Sequence, residues 1–221
     1  MELLRLFNTM VSFGPVYKED PTDDSLFYQQ PRLVLHTDLG FIQSLQELLR
    51  RTIPQNAVVF DLMSSWVSHL PDDLKTARMV GHGMNRVELA ANPRLDEFFV
   101  QNLNADPKLP LADTTFDAVL NTVSVQYLEN APAVFAEVNR VLKPGGVVII
   151  SFSNRMFPTK AVSLWLERDE EERPDLVRQY LVAAGGYTDI EVHRRTGAKF
   201  GLFFRTQDPF YCVTARKATP K

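Results

Sequence analysis

The sequence predicts an α/β protein, a three-layer sandwich around a mostly parallel central sheet. Three observations carry that expectation. Residues 116–155 read strand, helix, glycine turn, strand in order. Short apolar runs at 57–60, 118–120 and 147–150 alternate with amphipathic stretches, as expected of strands buried on both faces. The last two strand-like stretches, 190–193 and 210–213, have no helical pattern between them, so the chain closes in a β-β pair.

Each element has a local reason. Residues 15–35 are marked by Pro15, Pro21 and Pro31 and read as irregular. Thr37 or Asp38 caps a helix running to about Arg51. Phe41, Ile42, Leu45, Leu48 and Leu49 form its apolar face, and Arg50 and Arg51 suit the negative end of its dipole. Pro54-Gln55-Asn56 turns the chain into a first core strand, 57–60, ending at Asp61. A short helix is expected near Val67. A second strand, 76–80, ends in Gly81-His82-Gly83. Helical turns follow through Glu88 and again from Leu95, and 98–101 forms a short third strand. Phe116, Ala118, Val119 and Leu120 make the fourth.

Pro132 opens the next helix at a position that needs no backbone N–H. Val134, Phe135, Val138, Val141 and Leu142 recur on one helical face. Lys143-Pro144-Gly145-Gly146 stops that helix before the strand 147–150. One long helix is expected over 159–184, ended by Gly185-Gly186, with the acidic run 168–173 as its solvated face. A β-α-β unit implies parallel strands and a right-handed crossover. Ligands in open α/β sheets bind at the carboxyl ends of the strands. The polar residues after Leu120 and after Ile150 therefore point at a site.

Composition narrows the function classes. A chain of 221 residues with 45% hydrophobic content supports one α/β domain and argues against disorder. A net charge of -3 offers no polybasic patch for nucleic acid or membrane. The single cysteine, Cys212, lies in an apolar strand-like run, which reads as a buried structural thiol in a cytoplasmic or other reducing compartment. Residues 1–17 have neither a basic leader nor a long apolar core, and their Leu and Phe residues are free to dock on the domain or on a partner. Neither a transmembrane stretch nor a dinucleotide Gly-x-Gly-x-x-Gly follows any strand. His69 has no second His or Cys at ligand spacing, so no metal site is expected. Cys212 and the serines form no nucleophilic triad.

Two motifs carry a family resemblance. Leu109-Pro110-Leu111-Ala112-Asp113-Thr114-Thr115-Phe116-Asp117 resembles the "LPFxDxSFD" lead into the fourth strand of class I S-adenosylmethionine-dependent methyltransferases. Val138-Asn139-Arg140-Val141-Leu142-Lys143-Pro144-Gly145-Gly146 resembles their "RVLKPGG" turn. The likeness covers roughly residues 55–155, within the broad group that includes quinone-pathway enzymes. More narrowly, residues 61–71 resemble a subgroup whose first motif is poor in glycine. The resemblance implies a seven-stranded, mostly parallel Rossmann-like sheet with an antiparallel C-terminal strand. It also implies S-adenosyl-L-methionine as cofactor, a small-molecule acceptor, and a lid or extension over residues 1–36 in front of a methyltransferase domain over 37–221.

The chain departs from that family at two places. Asp61 keeps the acid of the first motif, but Met63, Ser65 and Val67 stand where glycines are usual. Ser64 and Ser65 either offer hydroxyl donors to the methionine carboxylate or cap a following helix. At the end of the second strand Gly83 takes the place of the ribose-binding acid; Met84 then lies against adenine and Asn85 reaches the ribose. His82 is read as a packed histidine and Glu88 as a surface glutamate. After the third strand, the Asn102 amide oxygen and the Leu103 backbone N–H match the adenine-reading positions, with Asn104 as the alternative. Asn121, Thr122 and Val123 would line the methionine end.

On the acceptor side the resemblance points to the N-terminal segment. Tyr28 bonds the methionine carboxylate, Arg32 binds an anionic substrate and His36 serves as general base, or all three simply pack. Tyr127 orients substrate or is a core tyrosine. Trp66 reads as core. The rival function is a methyltransferase-like domain that has lost turnover and binds a ligand or protein partner; loss of the glycines and of the acid motivates it.

Overall fold

A computed structural model describes residues 13–196, 199–200 and 205–219 of the chain. The N-terminal Leu and Phe residues at positions 3–7, expected to dock, lie outside the described residues, as do the first twelve residues of the expected lid.

Seven strands form one sheet: β1 (Ala57–Asp61), β2 (Thr76–Gly83), β3 (Glu97–Val100), β4 (Phe116–Thr122), β5 (Leu142–Phe152), β6 (Tyr187–Arg195) and β9 (Phe210–Lys217). Their order is β3-β2-β1-β4-β5-β9-β6. All pairs among β1 to β5 are parallel, and β9 inserts antiparallel between β5 and β6. This is the expected seven-stranded sheet with its antiparallel C-terminal strand. Between β6 and β9, the short β7 (Lys199–Phe200) and β8 (Arg205–Thr206) pair with each other.

The apolar runs alternate faces, which is why both faces need cover. Val59, Ala118, Leu120, Val147, Ile149 and Cys212 face α2 (Leu39–Thr52), joining Phe41, Leu45, Leu48 and Leu49. Phe60, Phe116, Val119, Val148, Ile150 and Val213 face the other way, toward Val134, Phe135 and Val138 of α4 (Ala131–Val141) and Leu176, Val177 and Leu181 of α6 (Arg173–Ala184). Asp38 caps α2 by accepting from Phe41 N–H at 2.8 Å, and Asn130 caps α4. Cys212 is fully buried and its thiol is pushed well above the ordinary range by desolvation.

The two family-like motifs are one device. Arg140 of α4 donates to the carbonyls of Leu109 and Leu111 and pairs with Asp113 and Glu137. The segment before β4 is thereby nailed to the helix that precedes β5.

Three local expectations fail, each for a physical reason. No helix forms near Val67. Residues 62–70 are a turn-rich loop, with Met63 and His69 left-handed at φ 57 and 52. Short polar side chains there compete with helical backbone bonds. The expected 159–184 helix is broken into a 3-10 turn at Pro158–Lys160, α5 (Ser163–Leu166) and α6. Asp169 binds the N–H groups of Glu171 and Glu172, and Pro174 sits in the first turn of α6, where its missing donor costs least. The acidic run is therefore a loop, not a helix face. Around Leu95 the chain makes only a turn, because Asp96 N–H already pairs with the Met79 carbonyl and starts β3.

Segment 13–36 is bound to the domain through charge. Lys160 is fully buried, and its Nζ reaches Thr22 O at 2.8 Å, Asp20 at 3.1 Å and Asp24 at 3.4 Å. Lys18 Nζ bonds Asp24 at 2.6 Å and Glu129 at 2.9 Å. From this anchor, the short α1 (Asp24–Phe27) and residues 28–36 pass along the cavity described below. Lys160→Met should leave two aspartates short of a buried partner. The expected loss is about 3–5 kcal/mol by denaturant titration, with early proteolysis inside 13–36.

Candidate functional site

β1 and β4 are parallel neighbours from which the strand order runs outward in opposite directions, which opens a crevice at their carboxyl ends. A cavity of about 560 Å³ lies there, within the size range of small-molecule and cofactor sites. Its wall comes from the residues after β1, β2, β3, β4 and β5, together with Asp24, Tyr28, Arg32 and residues 34–36. Met63 and Val67 stand in the wall and leave the hollow open. Of the cofactor candidates, Asp61, Met63, Ser64, Ser65, Gly83, Met84, Asn85, Asn102, Leu103, Thr122 and Val123 meet at this cavity; Tyr28, Arg32, His36 and Tyr127 join them. Asn121 does not line it. Its side chain is fully buried and donates to Leu62 O.

The first-motif turn is built without glycine. Met63 takes the left-handed conformation at φ 57. His82, 1% exposed, holds the turn: its Nδ1 accepts from Met63 N–H at 3.2 Å, and its Nε2–H donates to Gln101 O at 2.9 Å. His82 is thus a packed histidine that ties the ends of β1 and β3 together. Ser64 N–H bonds His82 O at 2.6 Å. This brings the Ser64 carbonyl so near β2 that a Cβ at Gly83 would lie 2.5 Å from it. Close approach has shifted the glycine requirement from the first motif to position 83. An acid cannot stand there.

Several side chains are committed differently from expectation. The Ser64 hydroxyl donates to Asp61 and the Ser65 hydroxyl to Glu88, each at 2.6 Å, so neither is a free donor and neither caps a helix. Asn85 caps α3 (Arg86–Ala91) through the N–H groups of Val87 and Glu88, and its amide donates to the carbonyls of Tyr28 and Gln29. It anchors the N-terminal segment rather than reaching outward. Asn104 is spent on Asp24, Tyr127 O and Glu129 N–H. Glu88 is no surface glutamate: it is 8% exposed, lines the cavity, and accepts from Arg32 N–H at 2.6 Å. Trp66 is not core; it lines the cavity and donates to Val34 O at 3.0 Å. Glu88 sits three residues after the cap Asn85, a spacing that signals a helix start but not the loop it reaches. Asp24 carried no sequence signal at all.

The electrostatics follow from burial. Asp61, 3% exposed, is lifted to about 6 by desolvation despite the Ser64 and Ser68 hydroxyls. Desolvation lowers His82 to about 4 and His69, with help from His36, to about 4. His36 is lowered for the same reason. Desolvation raises the Tyr28 and Tyr127 phenols, which stay protonated. Tyr127 OH accepts from Phe157 N–H at 2.9 Å. In the cavity wall Ser124 Oγ is buried without a hydrogen-bond partner, while Asp24 Oδ1 faces Lys160 Nζ at 3.4 Å. A buried hydroxyl left without a partner fits a polar ligand. Val123, a β-branched residue at φ 47, stores backbone strain beside them. Among the described residues no three His, Cys, Asp or Glu side chains converge as a metal would need, and no helix is long and apolar enough to cross a membrane.

A sequence model of the family described as "Methyltransferase domain" matches residues 74–150, spanning β2 through β5. Over those residues the chain is similar to that methyltransferase domain. It is 31% identical over 115 residues to a malonyl-[acyl-carrier protein] O-methyltransferase of Hahella chejuensis, covering 49% of this chain and 40% of that protein. It is 28% identical over 102 residues to a ubiquinone biosynthesis O-methyltransferase of Rhizobium johnstonii, covering 40% of each. The matches span less than half the length of these curated relatives. A solved S-adenosylmethionine-dependent methyltransferase from Thermotoga maritima shares the fold, with a TM-score of 0.56 at 17% identity over 80% of this chain and 89% of that one.

Two outcomes test the site's construction in this methyltransferase fold. Gly83→Asp, which restores the usual acid, should destabilise by about 3 kcal/mol through the Ser64 carbonyl and should not tighten cofactor binding. Protonation supplies the other. His82 and His69 titrate near 4 in the folded state against 6.5 ordinarily, so their stability is present above 6.5 and lost as pH falls toward 4. Asp61 has the opposite sign: raised from 3.8 to about 6, it favours the fold at low pH and loses that stability as pH rises through 6. Asp61→Asn should therefore raise the melting temperature of the unliganded protein at pH 7 and steepen the loss of stability between pH 6 and 4.

Proposed function

We propose that this protein transfers the methyl group of S-adenosyl-L-methionine to a small-molecule acceptor, with residues 1–36 acting as a lid on the domain 37–221. The observation that carries the reading is the cavity of about 560 Å³ at the β1/β4 crevice, walled by the residues that follow β1 to β5. Two of the curated relatives are O-methyltransferases by name, which favours an oxygen acceptor. The net charge of -3 and a hollow of about 560 Å³ suit a small molecule rather than a nucleic acid. The sealed thiol of Cys212 suits a reducing compartment such as the cytoplasm.

The residues assign themselves as follows. Asn102 reads adenine with its amide oxygen, which accepts from Asn104 N–H at 3.0 Å and keeps a second lone pair; the Leu103 N–H and Met84 complete that end. Asp61 and Glu88 supply buried acceptors toward the ribose and the ammonium group. Thr122 and Val123 hold the methionine end, where Tyr28 donates its phenolic O–H. S-adenosylmethionine brings an already activated methyl group, so positioning and exclusion of water are the protein's share of the chemistry. Residues 28–36 exclude water, and Tyr127, neutral His36 and Arg32 orient the acceptor.

Calorimetry with S-adenosylmethionine and S-adenosylhomocysteine should give micromolar affinities. Asn102→Ala should weaken both about tenfold with an unchanged melting temperature. The rival, a domain without turnover, draws on the Ser64 and Ser65 hydroxyls being spent on Asp61 and Glu88; absence of heat with either compound would establish it over the enzymatic reading.

A further inference from the structure

The acceptor end of the cavity is built around an arginine without a carboxylate. The Arg32 guanidinium lies 4.3 Å from the centroid of Phe27, 5.3 Å from Phe157 and 5.9 Å from Tyr28. Aromatic faces hold a cation flat and leave the edge that carries its N–H groups. Its recorded bonds are to backbone carbonyls alone, Phe27 O at 3.0 Å and Gln30 O at 3.5 Å. Among the described residues it enters no salt bridge. The guanidinium has five donors, so its fork is mostly unspent.

The carboxylates around it are taken by other groups. Glu88 accepts from the Ser65 hydroxyl and from the Arg32 backbone N–H. Asp24 is bound by Lys18 and Asn104. Arg155, also in the wall, is answered by Asp208 at 2.8 Å. The other titratable groups at this end are poor bases. Burial keeps Tyr28 and Tyr127 protonated and holds His36 and His69 below the ordinary imidazole range. None of these four readily strips a proton from a neutral alcohol or phenol.

Building on the methyltransferase reading above, we propose that the acceptor is an organic carboxylate, gripped by the free edge of Arg32 and converted to its methyl ester. A carboxylate oxygen gives an electron pair to the methyl carbon while the carbon–sulfur bond breaks onto sulfur. Ester and thioether leave neutral, and no proton moves. Both reacting charges vanish, so exclusion of water by residues 28–36 favours the step. The uncharged product also loses its attraction to Arg32, which speeds its departure.

The test uses the protein saturated with S-adenosylhomocysteine and two matched pairs of probes, benzoate with benzamide and octanoate with octanamide. Calorimetry should show each acid binding at least tenfold tighter than its amide. Arg32→Met should abolish that preference while the affinity for S-adenosylhomocysteine stays within about twofold. Arg32→Lys, which keeps the charge but not the fork, should retain part of the preference and serves if the Met variant does not fold. Equal affinities, no binding of either acid, or a preference that survives in folded Arg32→Met would overturn the proposal. Failure of S-adenosylhomocysteine itself to bind would instead sink the cofactor reading on which it rests.

Discussion

The Ser64 carbonyl presses against the backbone of Gly83, and much of the site is organised around that contact. A turn after β1 that lacks glycine cannot curl as tightly as a glycine-rich one, because Met63 and Ser65 carry side chains. It closes instead by leaning on β2. His82 makes the lean specific, with one ring nitrogen taking the Met63 N–H and the other giving to Gln101. The consequence runs outward. Position 83 must be bare, and an acceptor near the ribose must come from elsewhere. Glu88, one helical turn into α3, is the buried carboxylate nearest in sequence. What looks like erosion of two motifs is one rearrangement, in which a change on the first strand forces a change on the second.

Energetically the site is expensive. A buried carboxylate at Asp61, a left-handed valine at 123 and the buried Ser124 hydroxyl without a partner all cost stability. Proteins keep such features where a ligand recovers the cost. The buried ion cluster of Lys18, Asp24 and Lys160 has a different task. It is a weak source of net stability but a demanding one geometrically, since each charge is tolerable only while the others are in place. That makes it a locator: it sets where α1 sits, and hence where Tyr28 and Arg32 meet the cavity.

Where the sequence was legible, the reasons are local. The runs that became β1, β4 and β5 are apolar on both faces and bounded by turn residues, and α4 has an asparagine cap, an early proline and one clean stripe. The sheet order and the strand-end positions then followed from the family likeness. The losses are equally physical. Ser64 and Ser65 read as ligand donors or helix caps because both are common tasks of short hydroxyls; the partner of Ser65, Glu88, lies 23 residues away and is brought near only by the fold, while Ser64 turns back to Asp61. Trp66 has the composition of core but an indole N–H that found the Val34 carbonyl. Pro174 and Asp169 announced a helix start inside a stretch whose apolar spacing suggested continuity.

The lone thiol of Cys212 has a practical corollary. It lies between Ser151 and His193 in the middle of the sheet, with no solvent access. Alkylating reagents attack thiolates, and this sulfur is both sealed and held protonated. A cysteine introduced at exposed Leu33, beside the cavity, would therefore be the sole reactive handle on the folded chain. One fluorophore there would report changes in the surroundings of residues 28–36 without any background from the native protein.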